Sequence, residues 1–84
     1  MYNVIFKKSA EKDLDRINSV YYDSVKRHIK ELAENPRPFG SVKLSGSENI
    51  YRIRVGIYRI IYSIKDNILV VEIIKIDHRS SVYK

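Results

Sequence analysis

The segment from residue 51 to residue 62 reads Tyr-Arg-Ile-Arg-Val-Gly-Ile-Tyr-Arg-Ile-Ile-Tyr, and its apolar and charged side chains largely alternate. Alternation with a period of two is typical of β-strands. Gly56-Ile57 divides the segment and places glycine at the first central position of a two-residue type II′ turn. The segment therefore predicts a tight β-hairpin, and the turn sets a register in which Arg54 lies directly opposite Arg59.

Further strands are predicted on both sides of this hairpin along the chain. Residues 2–6 are β-branched and aromatic and predict a first strand, whereas residues 68–76 predict a last strand that follows a two-residue turn at Asp66-Asn67. Residues 42–44 are predicted to pair briefly within a loop. Alternation assigns to the hydrophobic face of the sheet the residues Tyr51, Ile53, Val55, Tyr58, Ile60, Tyr62, Ile64, Leu69, Val71 and Ile73.

Two amphipathic helices are predicted between the first strand and the hairpin. Ser9 and Ser19 are suitable N-caps for them, and the second helix is expected to end near Asn35 because Pro36 disfavours helical geometry in the residue before it. Helices clustered before a run of strands indicate an α+β domain. We therefore predict a single domain over residues 1–84 with the order β-α-α-β-β-β, in which a helical hairpin packs on an antiparallel meander.

Composition narrows the classes of ligand. The 84 residues carry a formal net charge of +6, of which residues 1–35 contribute +1 and residues 36–84 contribute +5. A basic excess of this kind favours a polyanionic ligand. With no cysteine and two histidines, neither a metal site nor a cofactor is expected. The longest aliphatic run, residues 68–71, is too short to span a membrane, so we expect a cytoplasmic protein without a membrane partner.

The predicted register gathers basic side chains on one face of the sheet. Arg52, Arg54 and Arg59 share the face opposite the hydrophobic one, and continued alternation along the last strand adds His78 to it. Like charges directly opposite each other are destabilising unless an anion or an acid lies between them. Glu72 is predicted to relieve part of this repulsion. Because guanidinium groups match phosphate oxygens, the cluster predicts contact with a phosphate backbone.

Two residues near the end of the chain extend this surface. Arg79 follows His78 directly, and Tyr83 lies in the short tail beyond it. His78 is the strand-end group that titrates near neutral pH. Tyr83 either packs against the domain or stacks on an unpaired base, which is a common way to hold single-stranded RNA.

Two blocks of this sequence resemble a known family. Residues 51–62 and the segment Ile-Asp-His-Arg-Ser-Ser-Val-Tyr at residues 76–83 resemble the RelE branch of the RelE/ParE toxins of toxin–antitoxin pairs. The resemblance extends over nearly the whole chain. It implies a small α+β ribonuclease that cleaves messenger RNA, typically in the ribosomal A site, and that a cognate antitoxin protein holds inactive. Operator DNA would be a partner only indirectly, through the antitoxin.

The resemblance also implies roles for individual residues. Arg52 and Arg54 correspond to basic residues that contact the scissile region, and Arg59 corresponds to the arginine that stabilises the phosphate. His78 or Arg79 occupies the position of the acid, and Tyr83 that of the aromatic residue that orients a base. Many relatives have lysine where this chain has arginine. Arginine stays protonated and so makes a poor general base, which leaves Glu48 as a distant alternative.

The implied reaction is metal-independent transesterification, in which the RNA 2′-hydroxyl attacks the adjacent phosphate. Two other functions fit the same basic domain. The sister ParE branch shares the fold and poisons DNA gyrase without cleaving RNA. A noncatalytic nucleic-acid-binding module would show salt-sensitive binding without strand breaks.

Overall fold

The computed structural model describes residues 1–78 and confirms the α+β fold. Its elements are, in chain order, β1 (Asn3–Phe6), α1 (Lys8–Asp15), α2 (Ser19–Glu31), β2 (Val42–Lys43), β3 (Ile50–Val55), β4 (Tyr58–Lys65) and β5 (Val70–His78). The strands form one sheet in the order β1-β5-β4-β3-β2. β1 runs parallel to β5, and the other neighbouring strands are antiparallel.

The helix starts differ from the predicted caps. The second helix is capped by Asn18, whose side-chain oxygen accepts a hydrogen bond from the Val20 amide at 2.9 Å, so Ser19 is already the first helical residue. Ser9 lies inside the first turn of α1, and its hydroxyl donates to the carbonyl of Ile74 at 3.4 Å instead. Both predicted serine caps are therefore wrong by one or two positions.

The central hairpin has the predicted register. Gly56 has φ +60°, which fits the first central position of a type II′ turn, and Val55 pairs with Tyr58. Arg54 consequently pairs with Arg59 across the strands. The ring of Tyr21 from α2 packs against Gly56, and a Cβ added at Gly56 would lie 2.7 Å from Tyr21 Cε1. A glycine is thus required both by the turn and by the packing of α2.

The second turn is longer than predicted. Lys65 pairs with Val70, so residues 66–69 form a four-residue loop and the two-residue turn at Asp66-Asn67 is wrong. The loop includes Leu69 with φ +54°. Leu69 is exposed, although alternation predicts it in the core. Because the register is displaced by two residues, an even number, Val71 still faces the core as predicted.

A β-bulge in β5 reverses the predicted faces at the end of that strand. Tyr62 pairs with Ile73 and Ile61 pairs with Lys75, which leaves Ile74 as an extra residue. Without the bulge, Lys75 would take the core position opposite the fully buried Ile60. The bulge instead brings Ile76 into the core, where it is 6% exposed, although alternation predicts it on the opposite face.

The hydrophobic core lies between the two helices and one face of the sheet. Its largest fully buried side chains come from α2, from the turn after it and from the central strands: Tyr62, Leu32, Ile60, Ile64, Ile73, Val25 and Val71. The hydroxyl of Tyr62 donates to the carbonyl of Pro36 at 2.8 Å, so this buried polar group is satisfied. The helices cover this face and leave the opposite face of the central strands uncovered. Within residues 1–78, neither helix has the length and apolar character needed to cross a bilayer.

Candidate functional site

Three arginines lie on the sheet face away from the helices, which we call the outer face. Arg52 and Arg54 alternate on β3 with the buried Ile53, and Arg54 pairs directly with Arg59 on β4. Arg52 and Arg59 are half-buried, whereas Arg54 is exposed. The predicted placement of these residues on one face is confirmed, and we refer to Arg52, Arg54 and Arg59 as the arginine cluster.

Electrostatic repulsion within the arginine cluster is visible at Arg52. Burial lowers the pKa of Arg52, and the positive charges of Arg54 and Arg59 lower it further. Arginine remains protonated in proteins despite such shifts. The cluster is therefore a concentration of fixed positive charge, and an anion bound there would relieve the repulsion.

An acidic residue that the sequence did not identify lies beside the cluster. Asp77 pairs with Arg59 across β4 and β5, and the Arg59 Nη2 lies 3.6 Å from the Asp77 Oδ2. The other carboxylate oxygen of Asp77 lies 3.4 Å from Lys75 Nζ. Glu72, the acid expected to relieve the cluster, instead forms an ion pair with Lys65 at 3.5 Å, so that prediction is wrong. The four-residue turn places Glu72 opposite Ser63, and the bulge moves Asp77 onto the outer face beside Arg59.

The guanidinium of Arg59 retains an unused donor. Its Nε is buried and has no hydrogen-bond partner among the described residues. Buried donors are nearly always paired in folded proteins, and exceptions often mark functional positions. The separation of 3.6 Å from Asp77 is also longer than a charge-assisted hydrogen bond. Arg59 can therefore accept a phosphate ligand without first losing a strong hydrogen bond to Asp77.

His78 lies on the opposite side of the sheet from the one predicted. It pairs with Tyr58, and the two rings meet edge to face at 5.4 Å between centroids. Tyr58 faces the helices, where its hydroxyl accepts a hydrogen bond from the Asn18 amide at 2.9 Å. His78 is therefore on the helix side, at the same end of the sheet as Arg54 and Arg59. Its catalytic role remains a prediction.

The remaining predicted residues are Arg79, Tyr83 and the distant alternative Glu48. Arg79 and Tyr83 lie outside the described residues. Glu48 is exposed and lies in the loop before β3, whereas Arg54 lies near the far end of that strand, about 13 Å from Ile50 at about 3.3 Å per residue. Asp77, rather than Glu48, is the carboxylate in contact with the arginine cluster.

Comparison with known proteins identifies the family to which this chain belongs. Residues 4–83 match the family model described as "ParE toxin of type II toxin-antitoxin system, parDE". The chain belongs to the RelE/ParE toxin family. Among curated proteins, this toxin is 33% identical to the putative toxin RelE1 of Methanocaldococcus jannaschii, over 99% of this chain and 96% of that one. It is 32% identical to toxin RelE of Mycobacterium tuberculosis, over 99% of this chain and 87% of that one.

Solved structures agree with this assignment. The isolated Escherichia coli RelE toxin superposes with a TM-score of 0.83 at 30% identity, covering 99% of this toxin and 92% of that chain. The RelE chain of the archaeal RelE–RelB complex from Pyrococcus horikoshii gives a TM-score of 0.82 at 31% identity, covering 93% and 94%. The protein is thus a RelE-like toxin of a type II toxin–antitoxin system.

A second polar network lies at the other end of the sheet of this toxin. Arg37 donates to Asp66 at 2.8 Å through Nη2 and to the Tyr51 hydroxyl at 3.2 Å through Nε, and Tyr2 donates to the same carboxylate. The hydrogen bonds from Arg37 and Tyr2 lower the pKa of Asp66. The network connects the start of β1, the loop after α2 and the turn before β5. The guanidinium of Arg37 already donates hydrogen bonds to Asp66 and Tyr51, unlike that of Arg59. We therefore assign this network a structural role.

Metal ligands are not grouped anywhere in the described part of the toxin. No set of three or more histidine, aspartate or glutamate side chains in residues 1–78 is arranged to hold a metal ion. The charged groups that the structure brings together at the candidate site are the arginine cluster and Asp77.

Proposed function

We propose that this toxin is an endoribonuclease that cleaves messenger RNA on the ribosome, in the A site, without a metal ion. The observation that carries the proposal is the pairing of Arg54 with Arg59 on the sheet face that neither helix covers, beside Arg52. An anion bound between the two arginines would offset the repulsion between their charges. A phosphodiester fits, because its two non-bridging oxygens match guanidinium donors.

The reaction proposed is attack of the RNA 2′-oxygen on the adjacent phosphorus, with release of the 5′-oxygen of the next nucleotide. One P–O bond forms and one breaks, and the proton lost from the 2′-hydroxyl is balanced by the proton gained by the 5′-oxygen. Negative charge increases on the phosphoryl oxygens in the transition state. Arg54 and Arg59 would stabilise that charge, and such preorganised donors are often the largest contribution to catalysis.

Proton transfer would involve groups at the end of β5. His78 or Arg79 is proposed to protonate the leaving oxygen, and His78 is the more suitable because the ordinary pKa of histidine is near working pH. Since His78 faces the helix side, the RNA would have to pass around the end of the sheet to reach it. Tyr83 is proposed to stack on a base. Positioning of the RNA by the ribosome would supply much of the remaining acceleration.

A cognate antitoxin is the proposed protein partner. Solved relatives include the intact E. coli RelBE toxin–antitoxin complex, which matches this chain at a TM-score of 0.81 and 28% identity. The net charge of +6 would attract an acidic antitoxin segment. Operator DNA would then be contacted through the antitoxin.

The test is cleavage of a defined messenger RNA on purified ribosomes, read by primer extension. We expect breaks within translated codons for the wild type and about a 100-fold or greater loss of rate for Arg54→Gln and for Arg59→Gln, as for removal of an oxyanion donor. Arg27→Gln is the matched control, because Arg27 is exposed on α2, away from the outer face. Full cleavage by both cluster variants would overturn the proposal.

The match to a ParE model over residues 4–83 makes gyrase inhibition the second candidate function. A supercoiling assay on the same preparation separates the two. Inhibited supercoiling without breaks in the RNA would support a gyrase poison. Salt-sensitive RNA binding with neither effect would support a noncatalytic binding module.

A further inference from the structure

Three charged residues form a row across neighbouring strands on the outer face. Arg54 on β3 pairs with Arg59 on β4, and Arg59 pairs with Asp77 on β5. Directly opposed side chains in antiparallel strands have Cβ atoms about 5 Å apart. Arg59 therefore lies between a positive neighbour that repels it and a negative neighbour that attracts it.

We propose that Asp77 is a positioning residue, which holds the guanidinium of Arg59 towards β5 and away from Arg54. This opens a gap between the two guanidinium groups in which a phosphoryl group can be bound by both. The inference rests on the proposed ribonuclease function, because it assigns Asp77 to that reaction. It adds to the proposed site an acidic residue, Asp77, that lies outside the arginine cluster.

The geometry of the ion pair fits positioning better than permanent neutralisation. Arg59 Nη2 and Asp77 Oδ2 are 3.6 Å apart, which gives Coulombic attraction without a short hydrogen bond. The two side chains are only 23% and 17% exposed, so water screens this attraction less than at an open surface. The Nε of Arg59 has no partner within residues 1–78. Asp77 thus orients Arg59 through Nη2 without a hydrogen bond that a phosphate would have to break.

Lys75 is the other group that faces this carboxylate. Its Nζ lies 3.4 Å from Asp77 Oδ1, and its side chain is more than half exposed. The two cations use different oxygens of Asp77, so the carboxylate is held between them. Each oxygen therefore faces a cation. We assign Asp77 to the orientation of Arg59.

Glu72 provides a matched control on the same strand. It also carries a carboxylate on the outer face, it also pairs with a lysine, at 3.5 Å, and its side chain is 22% exposed. It lies opposite Ser63 and forms no ion pair with the arginine cluster. Glu72→Gln therefore makes the same change in net charge as Asp77→Asn without releasing Arg59.

The experiment measures kcat and KM for ribosome-bound messenger RNA with both variants. For Asp77→Asn we expect kcat to fall by about 10-fold or more, since small misplacements of a catalytic group can cost about 100-fold. We expect KM to stay equal or fall, because a negative charge has been removed near the RNA. Glu72→Gln should keep the wild-type kcat. Equal kcat values for Asp77→Asn and wild type would overturn the inference.

A double variant excludes a general loss of structure. If Asp77 acts through Arg59, adding Asp77→Asn to Arg59→Gln should cost nothing further in kcat, whereas independent effects would multiply. Multiplying effects would overturn the positioning role. The two proposals also fail differently: no cleavage by the wild type overturns both, whereas cleavage by the wild type and by Asp77→Asn at equal rates overturns only the role of Asp77.

Discussion

Replacing Gly56 with alanine tests the hairpin turn on which the arginine register depends. Gly56 has φ +60°, and an alanine Cβ there would lie 2.7 Å from Tyr21 Cε1 and 2.8 Å from Tyr21 Cδ1. Carbon atoms do not approach so closely, so the Tyr21 ring would have to move. Its edge-to-face contact with Tyr58, with centroids 5.7 Å apart, would then be weakened.

Two contributions add to the expected loss of stability. A non-glycine residue with left-handed φ costs about 1–2 kcal/mol. Loss of an aromatic pair costs about 0.5–1.5 kcal/mol. Gly56→Ala should therefore lower the free energy of unfolding by about 1.5–3.5 kcal/mol. That is a large share of the total, since a domain of 84 residues has a stability of about 4–13 kcal/mol.

The assay is equilibrium unfolding in urea, with Gly46→Ala as the control. Gly46 has φ +82°, but a Cβ added there would have nothing within 4 Å, so alanine should cost only the backbone contribution, about 1–2 kcal/mol. Restriction of the unfolded chain is the same for both variants. Equal costs at Gly56 and Gly46 would refute the packing explanation. In a Tyr21→Ala background the extra cost at Gly56 should disappear.

Two further predictions concern tyrosine and aspartate groups outside the arginine cluster. Tyr62→Phe leaves the Pro36 carbonyl without its donor, and we expect a loss of about 1–2 kcal/mol in urea unfolding. Because burial raises the pKa of Tyr62 from 10.0 to about 12, the wild type should lose stability relative to this variant as pH rises through that range, and parallel alkaline melts would contradict this. Asp66→Asn should lower the thermal midpoint at neutral pH, because Arg37 lowers the pKa of Asp66 below 3.8. The difference from the wild type should shrink as the pH falls through the folded-state pKa, and a constant difference would count against the hydrogen bonds from Arg37.

The sequence was most informative where local chemistry determines geometry. The hairpin register followed from Gly56-Ile57 between alternating strands, because few residues other than glycine tolerate the first position of this turn. That register alone placed Arg54 opposite Arg59. The predicted two-residue turn at Asp66-Asn67 was wrong because residue preference did not determine where the positive φ occurs. Asp66 and Asn67 tolerate positive φ, yet the structure uses it at Leu69, a residue with no preference for turns.

The helix caps show a smaller failure of the same kind. Asn18 and Ser19 are adjacent and both are good caps, so composition cannot choose between them. The structure chooses Asn18, whose backbone amide is also held by the hydroxyl of Tyr58 at 2.9 Å. That contact comes from β4, forty residues further along the chain. A cap fixed by a tertiary contact is not readable from the local sequence.

The bulge at Ile74 connects the hydrophobic core with the candidate site. In a regular strand Lys75 would face the core opposite Ile60, and burying its charge would cost several kcal/mol, since an unpaired ion is expensive to remove from water. One extra residue exposes Lys75 and buries Ile76 instead. The same displacement turns Asp77 onto the outer face and His78 towards the helices. The acid beside Arg59 is therefore a consequence of how the core is filled. Simple alternation could not reveal it, because Ile73 and Ile74 are both apolar and either could have been the residue that faces inwards.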